Sequence, residues 1–370
     1  MELLNATKML ARYTLGMKPD GREFLVVVIK GTFTIPKSGQ LAELAQEQVP
    51  LVEADTFTGK PGFSAPIYES DFSPFKAKCD VLLNGRAYAP GGKPTNKVTV
   101  GLTVGSINKT FNVVGNRSWK AGILGISPDK SENFDIMAIT YDKAFGGLDN
   151  RSEDPAKHLA WMPNPIGCGY HNDMSHKLVD RSPMPNTEEV NFPIKRPKGK
   201  YRPMSFGPIG RGWEPRYKFA GTYDDEWLEN AFPFLPADFN EAYYQSAPSD
   251  QQMPYPQGGE EVVLLNLTSH GRTSFRLPIV EVPVVFFRKR QEDIQTKGHL
   301  DTIVIEPENG TFCTSWRATI PLKKNIFEVA QVLVGDMPRG WWRARRLGKT
   351  YYASLDDLVR KKRIDAMEEA

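Results

Sequence analysis

The sequence FLVVVIKGTFTI, residues 24–35, decides the fold class of this 370-residue chain. Its first part, from Leu25 to Ile29, is entirely apolar and mostly β-branched, and Pro36 follows directly after the run. The run is too short for a convincing helix, and β-branched residues favour strands. We therefore predict a buried β-strand at this position.

Alternating apolar and polar residues indicate further strands, joined as hairpins. The alternation of residues 98–104 resumes at Ile107 after Gly105-Ser106, which favours a type II′ turn. Asn84-Gly85 predicts a type I′ turn between two short strands, and Glu308-Asn309-Gly310 predicts another hairpin. These patterns predict a mainly β protein with antiparallel sheets, arranged as a sandwich or in a barrel-like form.

The chain length and the distribution of prolines suggest how the chain is divided. Residues 1–150 and 261–350 carry the strand patterns and are predicted to form two β subdomains. Residues 151–260 contain 15 of the 29 prolines together with many aromatic residues, which favours ordered loops bridging the two subdomains. The only convincing helical pattern lies in residues 351–370, where Ser354 can cap a short basic helix.

Charge, hydropathy and cysteine content exclude several classes of partner. The 47 basic and 44 acidic residues leave a net charge of +3, so no overall field attracts nucleic acid or a membrane. We find no signal-peptide core and no run of about 20 apolar residues that could cross a membrane. The three cysteines, Cys79, Cys168 and Cys313, are far apart and favour reduced thiols. We expect a cytoplasmic protein.

The best metal candidate in the sequence is a group of four side chains within nine residues. Cys168, His171, Asp173 and His176 are all of types that bind zinc. A structural zinc site normally pairs two such groups, however, and the sequence contains only one. We therefore predict hydrogen-bonded loop residues and no metal, with a small zinc-dependent hydrolase as an alternative.

Other catalytic and cofactor motifs are not found in the sequence. There is no nucleophile elbow and no phosphate-binding glycine pattern, so we predict no catalytic residue, no cofactor and no enzymatic activity. Carboxylate groups such as Asp224-Asp225-Glu226 and Glu260-Glu261, with nearby aromatic residues, leave one further alternative. That alternative is a carbohydrate-active or carbohydrate-binding β protein.

The segment near residue 340 combines cationic and aromatic side chains. Arg339, Trp341, Trp342 and Arg343 are of the types that are enriched at protein interfaces. Adjacent side chains point to opposite faces of a strand, or about 100° apart on a helix, so we expect only one of the two indoles to enter a core. We predict partner binding at these four residues, against the alternative of a tryptophan pair that seals a sheet edge.

Several segments, in the same order along the chain, carry a resemblance to a known family. They are Tyr68 to Lys76, Asp80 to Pro90, Val114 to Trp119, Tyr141 to Asp149, Asn164 to Gly169, Gly221 to Trp227, Phe234 to Phe239 and Ala247 to Gln251. Over residues 20–320 the sequence resembles a bacterial domain-of-unknown-function family whose genes lie among type VI secretion genes, beside VgrG and PAAR-effector genes.

The resemblance implies an effector adaptor or chaperone. Such a protein binds a toxic effector, often one with a PAAR domain, and promotes its stability and its loading onto the VgrG spike. The resemblance supplies no catalytic residues. The residues after about 320 match the family pattern poorly.

Overall fold

The structure, a computed structural model, describes residues 1–37 and 40–368. Its strands are β1 Glu2–Asn5, β2 Leu10–Met17, β3 Glu23–Thr34, β4 Thr56–Phe57, β5 Pro66–Tyr68, β6 Cys79–Leu83, β7 Arg86–Tyr88, β8 Lys97–Val104, β9 Ile107–Val114, β10 Trp119–Gly122, β11 Gly125–Pro128, β12 Ile136–Ala138, β13 Phe145–Gly146, β14 Leu148–Asp149, β15 Leu159–Ala160, β16 Cys168–Gly169, β17 Thr187–Glu188, β18 Gln252–Met253, β19 Glu261–Leu265, β20 Arg272–Arg276, β21 Pro283–Arg288, β22 Ile294–Lys297, β23 His299–Glu306, β24 Thr311–Pro321 and β25 Val329–Val334.

Helices are few and short. The α-helices are α1 His176–Val179, α2 Asp225–Asn230, α3 Arg339–Arg346 and α4 Leu355–Glu368. The 3₁₀-helices are Pro90–Gly92, Tyr141–Lys143, Pro155–Lys157, Arg216–Phe219, Glu241–Tyr244, Ser249–Gln251, Pro307–Asn309 and Ile326–Glu328.

Three larger sheets surround one hydrophobic core. Their strand orders are β18-β6-β23-β24-β3-β2, β17-β9-β8-β19-β20 and β1-β25-β21-β22. Val27, Val100 and Val284, one from each sheet, are fully buried in the same cluster. The prediction of a mainly β protein with antiparallel sheets is confirmed, and the described residues form no closed barrel. Two of the exceptions are the parallel pairs β6–β23 and β1–β25.

The predicted strand at residues 24–35 is confirmed as β3, which lies between β24 and β2. Its residues from Leu25 to Ile29 are fully buried because both faces of this strand are covered. The domain boundaries at residues 150, 260 and 350 stay a prediction. Strands from 1–150 and 261–350 nevertheless pair directly, as β3 does with β24 and β8 with β19.

Two of the three predicted hairpins are confirmed. Gly105, with φ +53°, joins β8 to β9, and Gly310, with φ +65°, precedes β24 in the β23–β24 hairpin. The prediction of a hairpin at Asn84-Gly85 is wrong. Strand β6 is already paired on both sides, with β23 and β18, and β7 pairs with β12 instead. The Asn84 amide donates to the carbonyl oxygen of Ile305 at 3.0 Å, which extends the pairing of β6 with β23 by one residue instead of starting a turn.

The C-terminal helix is confirmed as α4, and the last two residues of the predicted range 351–370 lie outside the described residues. The Ser354 hydroxyl accepts a hydrogen bond from the Asp357 amide at 3.1 Å, as expected of an N-terminal cap. The expectation that only this stretch is helical is wrong, because α3 lies inside the segment 261–350 that was predicted to be β. The cause is the packing of its two tryptophans on Phe287.

Candidate partner-binding surface

The predicted interface residues of the C-terminal segment lie on α3. Both Trp341 and Trp342 contact Phe287 of β21, with ring centroids 6.1 and 6.0 Å from the phenyl centroid. The expectation that only one indole enters a core is therefore wrong, because two side chains about 100° apart on a helix can straddle a single ring. Arg339 and Arg343 are exposed and remain available to a partner.

The four side chains that were considered as candidate zinc ligands do not converge on one point. Cys168 is in β16, where burial raises the pKa of its thiol to about 12, and His171 is buried beside Ser182. Asp173 accepts from the Ser175 amide at 3.0 Å, and His176 is exposed at the start of α1. Among the described residues, no three of the side chain types His, Cys, Asp and Glu are grouped to hold a metal ion.

His171 lies in a polar contact chain that has the form of a serine–histidine pair. The Ser182 hydroxyl is 2.9 Å from Nε2 of the imidazole, and it also donates to the Val179 carbonyl oxygen at 2.5 Å. The other ring nitrogen contacts the guanidinium of Arg151 rather than a carboxylate. A catalytic triad needs a carboxylate there to stabilise the imidazolium, so this arrangement opposes serine hydrolase chemistry. Burial and the Arg151 charge lower the pKa of His171 to about 4.

We expect the stability of the protein to fall between pH 6.5 and pH 4 because of His171. The pKa of this histidine is about 4 in the folded state against an ordinary 6.5. The unfolded chain therefore binds the proton first, and acid favours unfolding in this window. The loss by pH 4.5 should be about 2–3 kcal/mol, measured by urea unfolding.

The variant His171→Gln isolates this effect. It cannot take up a proton, so its unfolding free energy should change less than that of the native protein between pH 7 and pH 4.5. The Asp149 carboxylate opposes the shift, and Asp149→Asn should lower the pKa of His171 further. Equal pH dependence of the native protein and His171→Gln would show that His171 does not control acid stability.

A second candidate surface surrounds α2, where apolar side chains are exposed. Tyr223, Leu228, Phe232 and Phe234 are between 44% and 62% exposed. The carboxylates of Asp224, Asp225, Glu226 and Glu229 lie among them in the sequence and are also exposed. We call these eight residues the acidic aromatic surface.

The indole of Trp227 holds this surface in place. Its ring contacts Tyr223 and Phe232 edge-on, at centroid distances of 4.8 and 5.7 Å, and its Nε1 donates to the Phe234 carbonyl oxygen at 3.0 Å. The Asp224 side chain caps α2 by accepting from the Trp227 amide at 2.9 Å. The exposed rings therefore project from a fixed turn, which reduces the entropy lost when a partner binds.

Sequence reasoning missed this surface, although a signal was present. Residues 219–241 contain six acidic and six aromatic residues and no lysine, arginine or histidine. From the sequence alone, the acidic group at Asp224-Asp225-Glu226 suggests only a pair of glycosidase carboxylates. The two carboxylates of such a pair must both face a substrate that lies between them. In the structure Asp224, Asp225 and Glu226 are instead exposed around α2.

Buried ion pairs connect the 3₁₀-helices that flank α2 to the rest of the chain. Arg216 donates to Glu69 at 2.5 Å, to the Ile209 carbonyl oxygen at 2.9 Å and to the Tyr243 carbonyl oxygen at 2.8 Å. Arg211 reaches the same Glu69 carboxylate at 2.6 Å. The guanidinium of Arg216 thus joins residues on both sides of α2 to the segment after β5.

A comparison with known protein families assigns the chain to one of them. A family model described as "Uncharacterized protein conserved in bacteria (DUF2169)" matches residues 20–317. The chain belongs to this family. No curated protein and no solved structure matches it.

Membership of DUF2169 confirms the predicted resemblance to a bacterial family of unknown function. The matched range includes the acidic aromatic surface and the Glu69–Arg216 pair, whereas α3 and α4 lie beyond it. Within the part of the chain that the structure describes, no helix is long and apolar enough to cross a membrane.

The segments Tyr68 to Lys76 and Asp80 to Pro90, which carried the resemblance, supply a buried polar layer behind the six-stranded sheet. Asp71 pairs with Lys30 at 2.9 Å, and Lys76 pairs with Asp80 at 2.7 Å. Lys30, Asp71 and Lys76 border a cavity of about 140 Å³. Since burying charges costs desolvation energy, such pairs fix the positions of chain segments more than they stabilise the fold.

Proposed function

We propose that this DUF2169 protein is a type VI secretion adaptor or chaperone. It binds a toxic effector of the PAAR-containing class in the cytoplasm, promotes its stability and helps load it onto the VgrG spike. It acts by stoichiometric binding and not as an enzyme. The single observation that supports a binding role most directly is the acidic aromatic surface around α2.

Exposed aromatic side chains held by a rigid turn are typical of protein interfaces. Tyrosine and tryptophan supply a large contact area at low entropic cost, and a few such residues usually account for most of the binding energy. Phe232 and Leu228 are 62% and 58% exposed, so their apolar surface is available to a partner. On a soluble protein, an exposed apolar patch surrounded by polar residues is typical of an interaction site.

The charge of the rim selects the partner chemistry. The four carboxylates from Asp224 to Glu229 have no lysine or arginine among residues 219–241 to neutralise them. Opposite charges across an interface accelerate association and reject partners of like charge. The complementary surface on the effector should therefore be apolar with lysine or arginine at its edge.

The assignment to type VI secretion rests on the family resemblance of the ordered segments between Tyr68 and Gln251. The DUF2169 description itself names no function. The structural features support a protein-binding role, and the resemblance supplies the identity of the partner.

Co-expression with its cognate PAAR-containing effector should give a complex that survives gel filtration. The double substitution Leu228→Ser with Phe232→Ser should weaken this complex roughly 100-fold, because two exposed anchor residues are lost. Raising the ionic strength from about 0.05 M to about 0.5 M should slow association, since the rim carboxylates are then screened. Titration calorimetry and stopped-flow fluorescence measure these two effects.

Phe327→Ser is the matched control, because Phe327 is 71% exposed on the 3₁₀-helix before β25. It should leave affinity unchanged. Elution of the two partners as separate, well-behaved proteins would count against the adaptor function. If Leu228→Ser with Phe232→Ser binds the effector as tightly as the native chain, the acidic aromatic surface is not the binding site.

A further inference from the structure

Strand β2 forms an open edge of the six-stranded sheet. It pairs with β3 on one side, and among the described residues no strand pairs with its other side. The β2–β3 register places Gly16 opposite Phe24, and the Lys18 amide donates to the Arg22 carbonyl oxygen at 3.0 Å in the same register. Hydrogen-bonded pairs alternate along an antiparallel ladder, so the even-numbered residues of β2 bond to β3.

The odd-numbered residues of β2 therefore direct their backbone groups outward. These residues are Ala11, Tyr13, Leu15 and Met17. The other side of β3 confirms this alternation, because the Leu322 amide donates to the Glu23 carbonyl oxygen at 2.9 Å and odd residues of β3 thus face β24. Within the described parts of the chain, the four outward N–H and four outward C=O groups of β2 have no hydrogen-bond partner.

The edge lacks the features that normally prevent strand addition. Proteins usually protect an edge with proline, a bulge, a covering loop or several charges. Strand β2 contains no proline, its pairing with β3 has no register shift, and Arg12 is its single charged residue. Further along β3 the edge is covered, since the Gln48 side chain bonds to the Thr32 amide at 2.8 Å.

We propose that two copies of this chain associate through antiparallel pairing of their β2 strands, centred on Thr14. In this register Tyr13 lies opposite Leu15 of the second copy, and Ala11 lies opposite Met17. All four outward-facing residues then form hydrogen-bonded pairs, and the two sheets become one continuous sheet across a two-fold axis. This association is independent of the proposed function.

The side chains are compatible with this register. Tyr13 and Leu15 are 40% and 41% exposed on the core-facing side of the sheet, and each covers the other across the junction. On the opposite face Arg12 lies opposite Gly16, and Thr14 lies opposite itself, so no like charges meet. Arg12 already pairs with Glu53 of its own chain at 2.6 Å, which neutralises the one charge on the strand.

The size of the contact sets the expected affinity. An interface built on eight residues per copy is smaller than the roughly 20–30 residues per partner of a typical stable complex. We therefore expect a dissociation constant in the micromolar range and measure it by sedimentation equilibrium up to about 200 µM. The mass should approach twice the 41.6 kDa of the chain as concentration rises.

Charge substitutions test the register. Tyr13→Lys with Leu15→Lys brings two lysines face to face across each pair and should weaken self-association roughly 10-fold or more. When the single variant Tyr13→Lys is mixed with the single variant Leu15→Glu, the mixed dimer should be tighter than the dimer of either variant alone. The reason is that residue 13 of one copy faces residue 15 of the other, so the lysine meets the glutamate. The control Ile123→Lys with Leu124→Lys changes two fully exposed residues at the β10–β11 turn and should have no effect.

Proline substitutions test the backbone. Leu15→Pro removes an outward N–H and should weaken the dimer, whereas Thr14→Pro removes a bond to β3 and should also lower stability. A monomeric native protein at 200 µM overturns the proposal. So does a Tyr13→Lys with Leu15→Lys variant that dimerises as tightly as the native chain, or a mixture of Tyr13→Lys and Leu15→Glu that shows no preference for the mixed dimer.

Discussion

Replacing Arg216 by alanine is expected to lower the free energy of unfolding by about 3–5 kcal/mol. The guanidinium is 2% exposed and lies over the Tyr243 ring, 5.6 Å from its centroid. Its removal leaves the carbonyl oxygens of Ile209 and Tyr243 without their donor. It also leaves the buried Glu69 carboxylate with one cationic partner instead of two.

Two further substitutions serve as comparisons: Arg216→Lys separates the charge of Arg216 from its geometry, and Arg202→Ala is a control at a more exposed ion pair. Arg216→Lys keeps the charge but cannot reach three acceptors with one ammonium group, so an intermediate loss is expected. Arg202→Ala removes a half-exposed arginine that pairs with Asp250 at 2.7 Å, and it should cost at most about 1 kcal/mol. Urea unfolding measures all three variants. If Arg216→Ala and Arg202→Ala have equal effects, the Glu69–Arg216 pair is not structurally important.

The double substitution Trp341→Ala with Trp342→Ala is expected to release α3 from β21. Each indole is half-buried against Phe287, so together they should cost about as much as one fully buried tryptophan, roughly 3–5 kcal/mol. The guanidinium of Arg345, which lies 3.5 Å from the Phe287 centroid, also loses its contact with the Trp341 ring, whose centroid is 5.4 Å away. Hydrogen exchange of the α3 amides should accelerate by two orders of magnitude or more.

Separate tryptophan and arginine variants distinguish a structural role of α3 residues from a role in partner binding. Since both rings contact Phe287, Trp341→Ala and Trp342→Ala should each destabilise α3 to a similar degree. Arg339→Ala with Arg343→Ala changes only exposed side chains and should leave hydrogen exchange unchanged. A loss of effector binding in that arginine variant would support the predicted interface at Arg339 and Arg343. A normal exchange rate in the tryptophan double variant would show that the indoles do not hold α3.

Local patterns in the sequence predicted the elements whose neighbours are close along the chain. The run at residues 24–35 specified β3, and Gly105-Ser106 specified its hairpin, because a strand period and a turn residue act over a few positions. Asn84-Gly85 has the same local signal, yet β6 pairs with strands more than 160 residues away. No local pattern contains that information.

The missed helix α3 has a similar explanation. Gly340 lowers helix propensity, and Pro338 offers no side chain to cap the first turn. The helix forms because its indoles pack on Phe287, and tertiary packing supplies most of the stability of a short helix. The acidic aromatic surface was different, since its composition was visible in residues 219–241 and only the outward direction of its side chains required the structure.

The pairing of β3 with β24 has a consequence for synthesis on the ribosome. Gly31 and Thr314, which contact each other in this pair, are 283 positions apart. At about 5–20 residues per second, the ribosome needs roughly 15–60 s to produce the partner of a strand that has already emerged. During this interval the nascent β3, with its row of valines, has no β24 to pair with. A translation product that stops before Thr311 therefore exposes an apolar strand with a free edge, which makes it a substrate for chaperones and proteases.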